Sequence, residues 1–303
     1  MSFPTWTALA YTLALSLPAS ASADRCGDLA TPAIFDEHTA MQAVFCEYNR
    51  DKGGTLLPPE HTAAWNLARA ETLATPMLAV TYRERGTRKG VLVVQRQMLY
   101  EGEPAWGHAQ TAVVSVYVFS LTGKRWTIER RAEEALDAGQ NGNAPFPSLV
   151  TTGPDRFGLW FVGGDMGQGY TFDYAYLVPL SDGPIAEAGR FDLGASNSGA
   201  CSDDPKERDT SIHACWSWET TAEFVRVPGR ANDLLRLTAK GNESADQNDV
   251  DRITAKTDVV CYARSGGTYA AVNDPKCGGY RGVARADSFD VGEKPTGAKP
   301  QPR

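Results

Sequence analysis

Apolar and polar positions alternate along most of this chain, with a period that changes once. Over Thr31 to Arg50 the apolar residues Met41, Val44, Phe45 and Tyr48 recur at helical spacing, and Asp36 stands where an N-cap belongs. Asp51-Lys52-Gly53-Gly54 stops that element. A second helical stretch follows Pro58-Pro59, carrying Ala64, Trp65, Leu67, Ala68 and Leu73 up to Thr75-Pro76. From Met77 onward the period falls to two. Met77 to Arg83 and Val91 to Tyr100 flank a basic turn, and Val113 to Leu121 is apolar on both faces, which marks a strand central to a core. Arg125 to Arg131 follows, and the polar run Ala132 to Asn143 reads as a connection. Further hairpins turn at Ser181-Asp182-Gly183-Pro184, at Pro228 to Asp233 and at Ser265-Gly266-Gly267.

About 11 to 13 strands without intervening helices predict a mainly β fold. The expected body is an antiparallel multi-hairpin sheet, as meander, sandwich or propeller-like assembly, under a short α-helical N-terminal layer. The divisions are residues 1–23, a leader; 24–76, the helical segment; 77–286, the β domain; and 287–303, a tail of Gly, Lys and Pro without an apolar run.

The leader reading rests on the apolar stretch from Ala8 to Leu17, Pro18 and the small-residue pattern Ala21-Ser22-Ala23, with cleavage expected after Ala23. That apolar run is too short for a membrane helix, and no later stretch resembles one. The address expected is periplasmic or secreted. Net charge is −7 and basic clusters are absent, which argues against nucleic acid or anionic membrane partners. Six cysteines follow the leader, Cys26, Cys46, Cys201, Cys215, Cys261 and Cys277. An even number in an exported chain predicts disulfides, with about 15 possible pairings. Proximity along the chain favours 26 with 46, 201 with 215 and 261 with 277. Zinc is disfavoured because no C-x-x-C pair exists and the histidines are scattered.

The densest stretch runs from Gly153 to Leu180. It reads as two extended runs joined by a glycine turn, Gly163 to Gly169, with Asp165 and Gln168 at its tip. The second run places Tyr170, Phe172, Tyr174 and Tyr176 on one face of a strand. Packing into the core is the default for that stripe, and an exposed platform is the alternative. Trp216 and Trp218, directly after Cys215, share a face if the chain is extended there. Ligand-binding candidates are therefore Asp165, Gln168, Tyr170, Trp216 and Trp218. The acidic run Asn242 to Asp251 lacks the glycine and residue order of a calcium loop and reads as an acidic, solvated hairpin loop, and no metal or cofactor is expected. Catalysis finds little support, since no G-x-S-x-G elbow is present. Paired carboxylates could be drawn from Asp165, Asp173 and Glu219.

The runs Gly153-Pro154-Asp155-Arg156-Phe157-Gly158, Gly163-Gly164, Gly167-Gln168-Gly169-Tyr170, Asn197-Ser198-Gly199-Ala200-Cys201 and Cys215-Trp216-Ser217-Trp218 resemble a group of uncharacterised exported proteins of proteobacteria, over roughly Val113 to Val272. The resemblance implies a periplasmic or secreted location and carries over no catalytic residue. Two functional expectations follow. The first is an exported, disulfide-bonded binding or interaction protein of the bacterial envelope, with an envelope protein or glycan as partner. The alternative is a hydrolase acting on a cell-envelope glycan or peptidoglycan.

Overall fold

The computed structural model describes Cys26, residues 34–59, 70–105, Gly107, 110–208, 212–246, 249–274 and Cys277. One helix, α1 (Glu37–Phe45), precedes fifteen strands among the described residues: β1 (Thr55–Leu57), β2 (Thr72–Glu84), β3 (Thr87–Tyr100), β4 (Glu103–Pro104), β5 (Ala112–Thr122), β6 (Arg125–Ala138), β7 (Phe146–Gly153), β8 (Arg156–Gly167), β9 (Tyr170–Pro179), β10 (Gly189–Ser196), β11 (Ser217–Val225), β12 (Leu234–Asp246), β13 (Asp249–Lys256), β14 (Val259–Ser265) and β15 (Thr268–Val272). They form two antiparallel sheets. The first has the order β1-β2-β3-β5-β6, with β4 on β3; the second runs β15-β14-β12-β11-β10-β9-β8-β7, with β13 on β12. The fold is thus mainly β with a small helical element at its N-terminal side, as the periodicity predicts.

The sequence explains the stacking order. On β3 and β5 one set of alternate residues, Val91, Val93, Val114, Val116 and Val118, packs against Leu159, Phe161, Val178 and Leu180 of the β8–β9 region, fusing the two sheets into one core. The other set, Leu92, Val94, Tyr117 and Phe119, packs under α1 against Ala40 and Met41. Two-sided apolarity over Val113 to Leu121 is thereby accounted for. The β8–β9 pair is also two-sided, because Trp160, Ala175 and Leu177 enter a further core with Phe191, Phe224, Leu235 and Tyr269. The hairpin from Gly153 to Leu180 is a wall shared by two cores.

Asp36 caps α1 by accepting the Thr39 N–H at 2.8 Å, an arrangement that holds its carboxyl below the usual range. Cys26–Cys46, Cys201–Cys215 and Cys261–Cys277 are the disulfides, with Cα separations of 4.9, 4.9 and 6.3 Å, so pairing follows proximity.

Several expectations need correction. Leu73, Thr75 and Pro76 lie in β2, not in a helix, while Ala64, Trp65, Leu67 and Ala68 fall outside the described residues. Pro76 is tolerated because the register shifts between it and Leu78 and β1 covers only Thr72 to Ala74, so the missing N–H faces an open edge. The polar segment from Ala132 onward continues β6 to Ala138, an edge strand whose alternation is broken by two register shifts. Within the acidic run, Asn242 to Asp246 belong to β12 and Asp249 to Asp251 to β13, while residues 247 and 248 fall outside the described residues.

A polar knot ties both sheets at the turn after β9. Arg264 donates to the carbonyls of Ser181 and Asp182 at 3.1 and 2.9 Å, and Arg130 donates to those of Leu180 and Gly183. Arg85 and Arg156 pair with the Asp182 carboxylate, and the buried Ser181 hydroxyl donates to Glu84. Four arginines from β6, β8, β14 and the β2–β3 turn thus converge on one four-residue turn.

Candidate functional site

The glycine-rich stretch does not form a seven-residue loop. Gln168 and Gly169 alone turn the chain, with φ of 52° and 83°, and Gly163, Gly164 and Gly167 are strand residues of β8. Two consecutive left-handed residues give a tight turn whose twist matches the flanking strands. The strand glycines serve their neighbours across the ladder. A Cβ on Gly163 would stand 3.1 Å from both Pro145 and the Tyr174 ring, and one on Gly164 would stand 2.9 Å from the Asp173 carboxylate. Asp165 is exposed, and its carboxylate accepts the Met166 N–H at 2.8 Å.

The tip is seated on the segment before Cys201. The Gly199 N–H donates to the Gly169 carbonyl at 3.0 Å, and the two backbones approach so closely that a Cβ on Gly169 would meet the Gly199 carbonyl carbon at 2.5 Å. Asn197, with no exposed surface, holds the other side of that segment. Its amide donates to the Ala214 carbonyl and its oxygen accepts the Trp216 N–H, both at 2.8 Å. Ala214 N–H donates to Asp251 at 2.8 Å and Ser217 N–H donates to Asn242 at 2.7 Å, so the β12–β13 ribbon braces the same segment. His213 Nδ1 lies 3.9 Å from the Asp251 carboxylate. The resemblance motif around Asn197 to Cys201 therefore works as a joint.

That joint brings the hairpin and the tryptophan segment together. The Tyr170 and Trp216 rings have centroids 6.3 Å apart. Phe172 pairs with Ala195, and Ala195 pairs with Trp218, so two aromatics flank an alanine along one cross-strand row. Lys256 sits 4.8 Å over the Trp218 ring while paired with Glu243 at 2.5 Å and Asp258 at 3.3 Å. Burial works to lower its pKa, but those carboxylates outweigh it and hold the ammonium above its ordinary value. The stripe of four rings divides. Tyr174 is buried and Tyr176 half-buried, with Arg190 stacked over them at 4.7 and 5.9 Å, while Phe172 is 48% exposed. Burial pushes the phenol pKa of both tyrosines up, opposed by Arg190.

The carboxylates separate as well. Asp165 pairs with Phe172, so it stands on the opposite face of the hairpin from Asp173. Asp173 and Glu219 do share a row, since both pair with Gly194, and Glu219 pairs onward with Lys240. A depression of about 250 Å³ opens on this row, lined by Ser217, Trp218, Glu219, Thr221, Thr238, Lys240 and Gly241. Among the described residues no group of three His, Cys, Asp or Glu could hold a metal.

Of the sequence candidates, Tyr170, Trp216 and Trp218 meet at this end, Gln168 is a turn residue, and Asp165, expected at the tip, is instead an exposed strand residue of β8 paired with Phe172. Lys256 and Lys240 carry no local sequence signal, and Asp251 stands in the sequence only as the end of the acidic run Asn242 to Asp251. Asn197 stood within a noted motif, but the other three owe their place to pairings across the sheet that no local pattern reports. No family model, curated protein or solved structure matches this chain.

Proposed function

We propose that the chain is an exported, disulfide-bonded binding protein of the bacterial envelope, and that its binding end is where the β8–β9 tip meets the Cys201–Cys215 segment. The observation that carries this reading is the convergence itself. Gly169 seats on Gly199, Tyr170 reaches Trp216, and an open polar depression lies on the opposite face of β11 from the Trp218 ring. Export is supported by the leader pattern before Asp24 and by three disulfides. Among the described residues no helix is long and apolar enough to cross a membrane. The partner is an envelope protein or a glycan. The test passes the mature protein over immobilised envelope fractions and glycan panels. Retention of a defined partner is expected; no retention removes the reading, and turnover in a hydrolase screen would then favour the second one.

One arrangement favours a second reading, a hydrolase of envelope glycan or peptidoglycan. Asp173 and Glu219 flank Gly194 on one row. Two strand spacings separate their Cα atoms by roughly 10 Å. Side chains of this length can bring carboxyl groups within the separation of about 6.5–9.5 Å that inverting glycosidases use. Asp173→Asn and Glu219→Gln would each then reduce release of new reducing ends by about a thousandfold, and turnover unchanged in both variants rejects it.

A further inference from the structure

We infer that the outer face of β11 and β12 is a binding site for an uncharged, extended oligo- or polysaccharide chain, held by Ser217, Glu219, Thr221, Thr238 and Lys240. The inference rests on the binding reading above and gives it a ligand class.

Alternation puts Ser217, Glu219 and Thr221 on one side of β11. Thr221 pairs directly with Thr238, and Glu219 with Lys240, so these five side chains emerge together over the 250 Å³ depression. All five are hydrogen-bonding groups. Among the described residues, none of them joins its side chain to another protein group, and the acid and base face each other across the ladder without closing an ion pair. Most neighbouring charges are used internally: Lys256 holds Glu243, Arg236 holds Glu223, and Asp251 holds the Ala214 N–H. The lining of this depression is therefore a set of free donors and acceptors.

The chemistry of the lining selects the ligand. One carboxylate and one ammonium cancel, which offers no net attraction to a polyanion or a polycation. No aliphatic side chain lines the depression, so it gives nothing to an acyl chain or an apolar peptide face. Trp218 is the one aromatic, and Lys256 already stacks on its ring. Recognition falls to hydrogen bonds with groups that both donate and accept, which is what sugar hydroxyls do. Beyond the depression the same cross-strand row continues onto β10 and β9. Gly194 lies between Glu219 and Asp173 and lends no side chain of its own, while the Asp173 carboxylate leans over it, 3.1 Å from where a Cβ would stand; from Lys240 to Asp173 the row spans three strand spacings. That is roughly 14 Å, a length that accepts several sugar units and exceeds one.

The full chain without its leader would be titrated by calorimetry with three probes: an uncharged hexamer of β-1,4-linked N-acetylglucosamine, neutral dextran and dextran sulfate. A neutral probe is expected to bind, with affinity unchanged in about 0.5 M NaCl, where screening removes long-range attraction. Glu219→Ala with Thr221→Ala is expected to weaken it about tenfold or more, with the unfolding curve retained because both side chains are exposed and unpaired. Phe172→Ala, on the neighbouring row, is expected to change it less than about twofold. Binding of dextran sulfate alone, or neutral binding that survives the double substitution and falls with Phe172→Ala, overturns this site while leaving a binding protein in place. Retention of an envelope protein with no glycan bound does the same. If neither glycan nor envelope protein is retained, both readings fall.

Discussion

Replacing Gly169 by Ala tests whether the hairpin tip is truly seated on the Asn197–Cys201 segment. Two effects add at this position. The residue has φ of 83°, and an alanine held there costs about 1–2 kcal/mol. The new Cβ would also lie 2.5 Å from the Gly199 carbonyl carbon, 2.6 Å from its oxygen and 2.7 Å from the Ala200 nitrogen. All three are backbone atoms, so no rotamer change relieves the overlap. The segment must withdraw, which stretches the Gly199 N–H bond to the Gly169 carbonyl, worth about 0.5–1.5 kcal/mol, and adds an overpacking term of about 1–3 kcal/mol. Gly229 supplies the control. It has φ of 82° with nothing within 4 Å of its would-be Cβ, so Gly229→Ala carries the dihedral effect alone. Gly199→Ala supplies the reverse case, with no left-handed φ but a Cβ 2.8 Å from the Gly169 Cα. Urea unfolding followed by tryptophan fluorescence, with midpoints compared at constant slope, gives the three values. Gly169→Ala should exceed Gly229→Ala by about 2–4 kcal/mol, and Gly199→Ala should be destabilising by the clash alone. A difference below about 0.5 kcal/mol between Gly169→Ala and Gly229→Ala would refute the docking, because mutants within that margin are indistinguishable from surface changes.

Asn197→Ala removes both hydrogen bonds of a fully buried amide and strands the Ala214 carbonyl and the Trp216 N–H, a loss of about 2–4 kcal/mol read as faster protease nicking between Cys201 and Cys215. Reducing Cys201–Cys215, which closes a loop of sequence separation 14, should lower stability by about 3 kcal/mol in the loop-entropy account, measured with Cys201→Ala/Cys215→Ala to avoid the other bridges. Tyr269 is buried, and burial raises its phenol pKa to about 12 from 10.0. The unfolded chain therefore loses this proton first, and stability falls as pH rises from about 10 to 12, by up to about 1.4 kcal/mol per pH unit for this group. Absorbance titration at the tyrosinate band should show this phenol ionising only at the upper end of that window in the native protein and near its ordinary value in urea.

Features with short-range causes were legible in the sequence. Val113 to Leu121 announced a strand covered on both faces because alternate positions were all apolar, and it lies between β3 and β6 with a core on each side. Asp36 announced its helix because capping is settled within three residues. The disulfides followed proximity because each cysteine pair lies in one local segment. Errors arose where a residue type had two physical uses. Gly163 and Gly164 read as turn residues because glycine permits left-handed backbone, yet here its missing side chain makes room for Tyr174, Pro145 and Asp173. Pro76 read as a helix stop, yet it sits at an irregularity beside an open strand edge. Asn242 to Asp251 read as a solvated loop because its charges hid the alternation, and its role in bracing Ala214 and Ser217 spans 37 and 25 residues of sequence. The row Asp173–Gly194–Glu219–Lys240 was unreadable for the same reason, since four strands must pair in register before these residues become neighbours.

The tyrosine stripe that draws attention in the sequence and the polar face proposed for binding stand in a definite physical relation. Tyr174 and Tyr176 help bury the β8–β9 hairpin on the side facing the first sheet, and Ala175 and Leu177 bury the other side. A hairpin packed on both faces has no room to act as a mobile flap, so whatever it carries at its tip is held in one position. The tip in turn fixes Gly199, Asn197 fixes Trp216, and Asn242 fixes Ser217 at the start of β11. The polar side chains of β11 and β12 are thus presented on a scaffold that need not order itself when a ligand arrives. Binding by a few exposed hydrogen-bonding groups is weak in general, because each bond exchanges for one with water and ordering the site consumes much of the gain. A preformed face removes the second of those losses. In the proposed reading, the joint of Gly169 with Gly199 and Asn197 would serve binding by holding a shallow polar surface rigid.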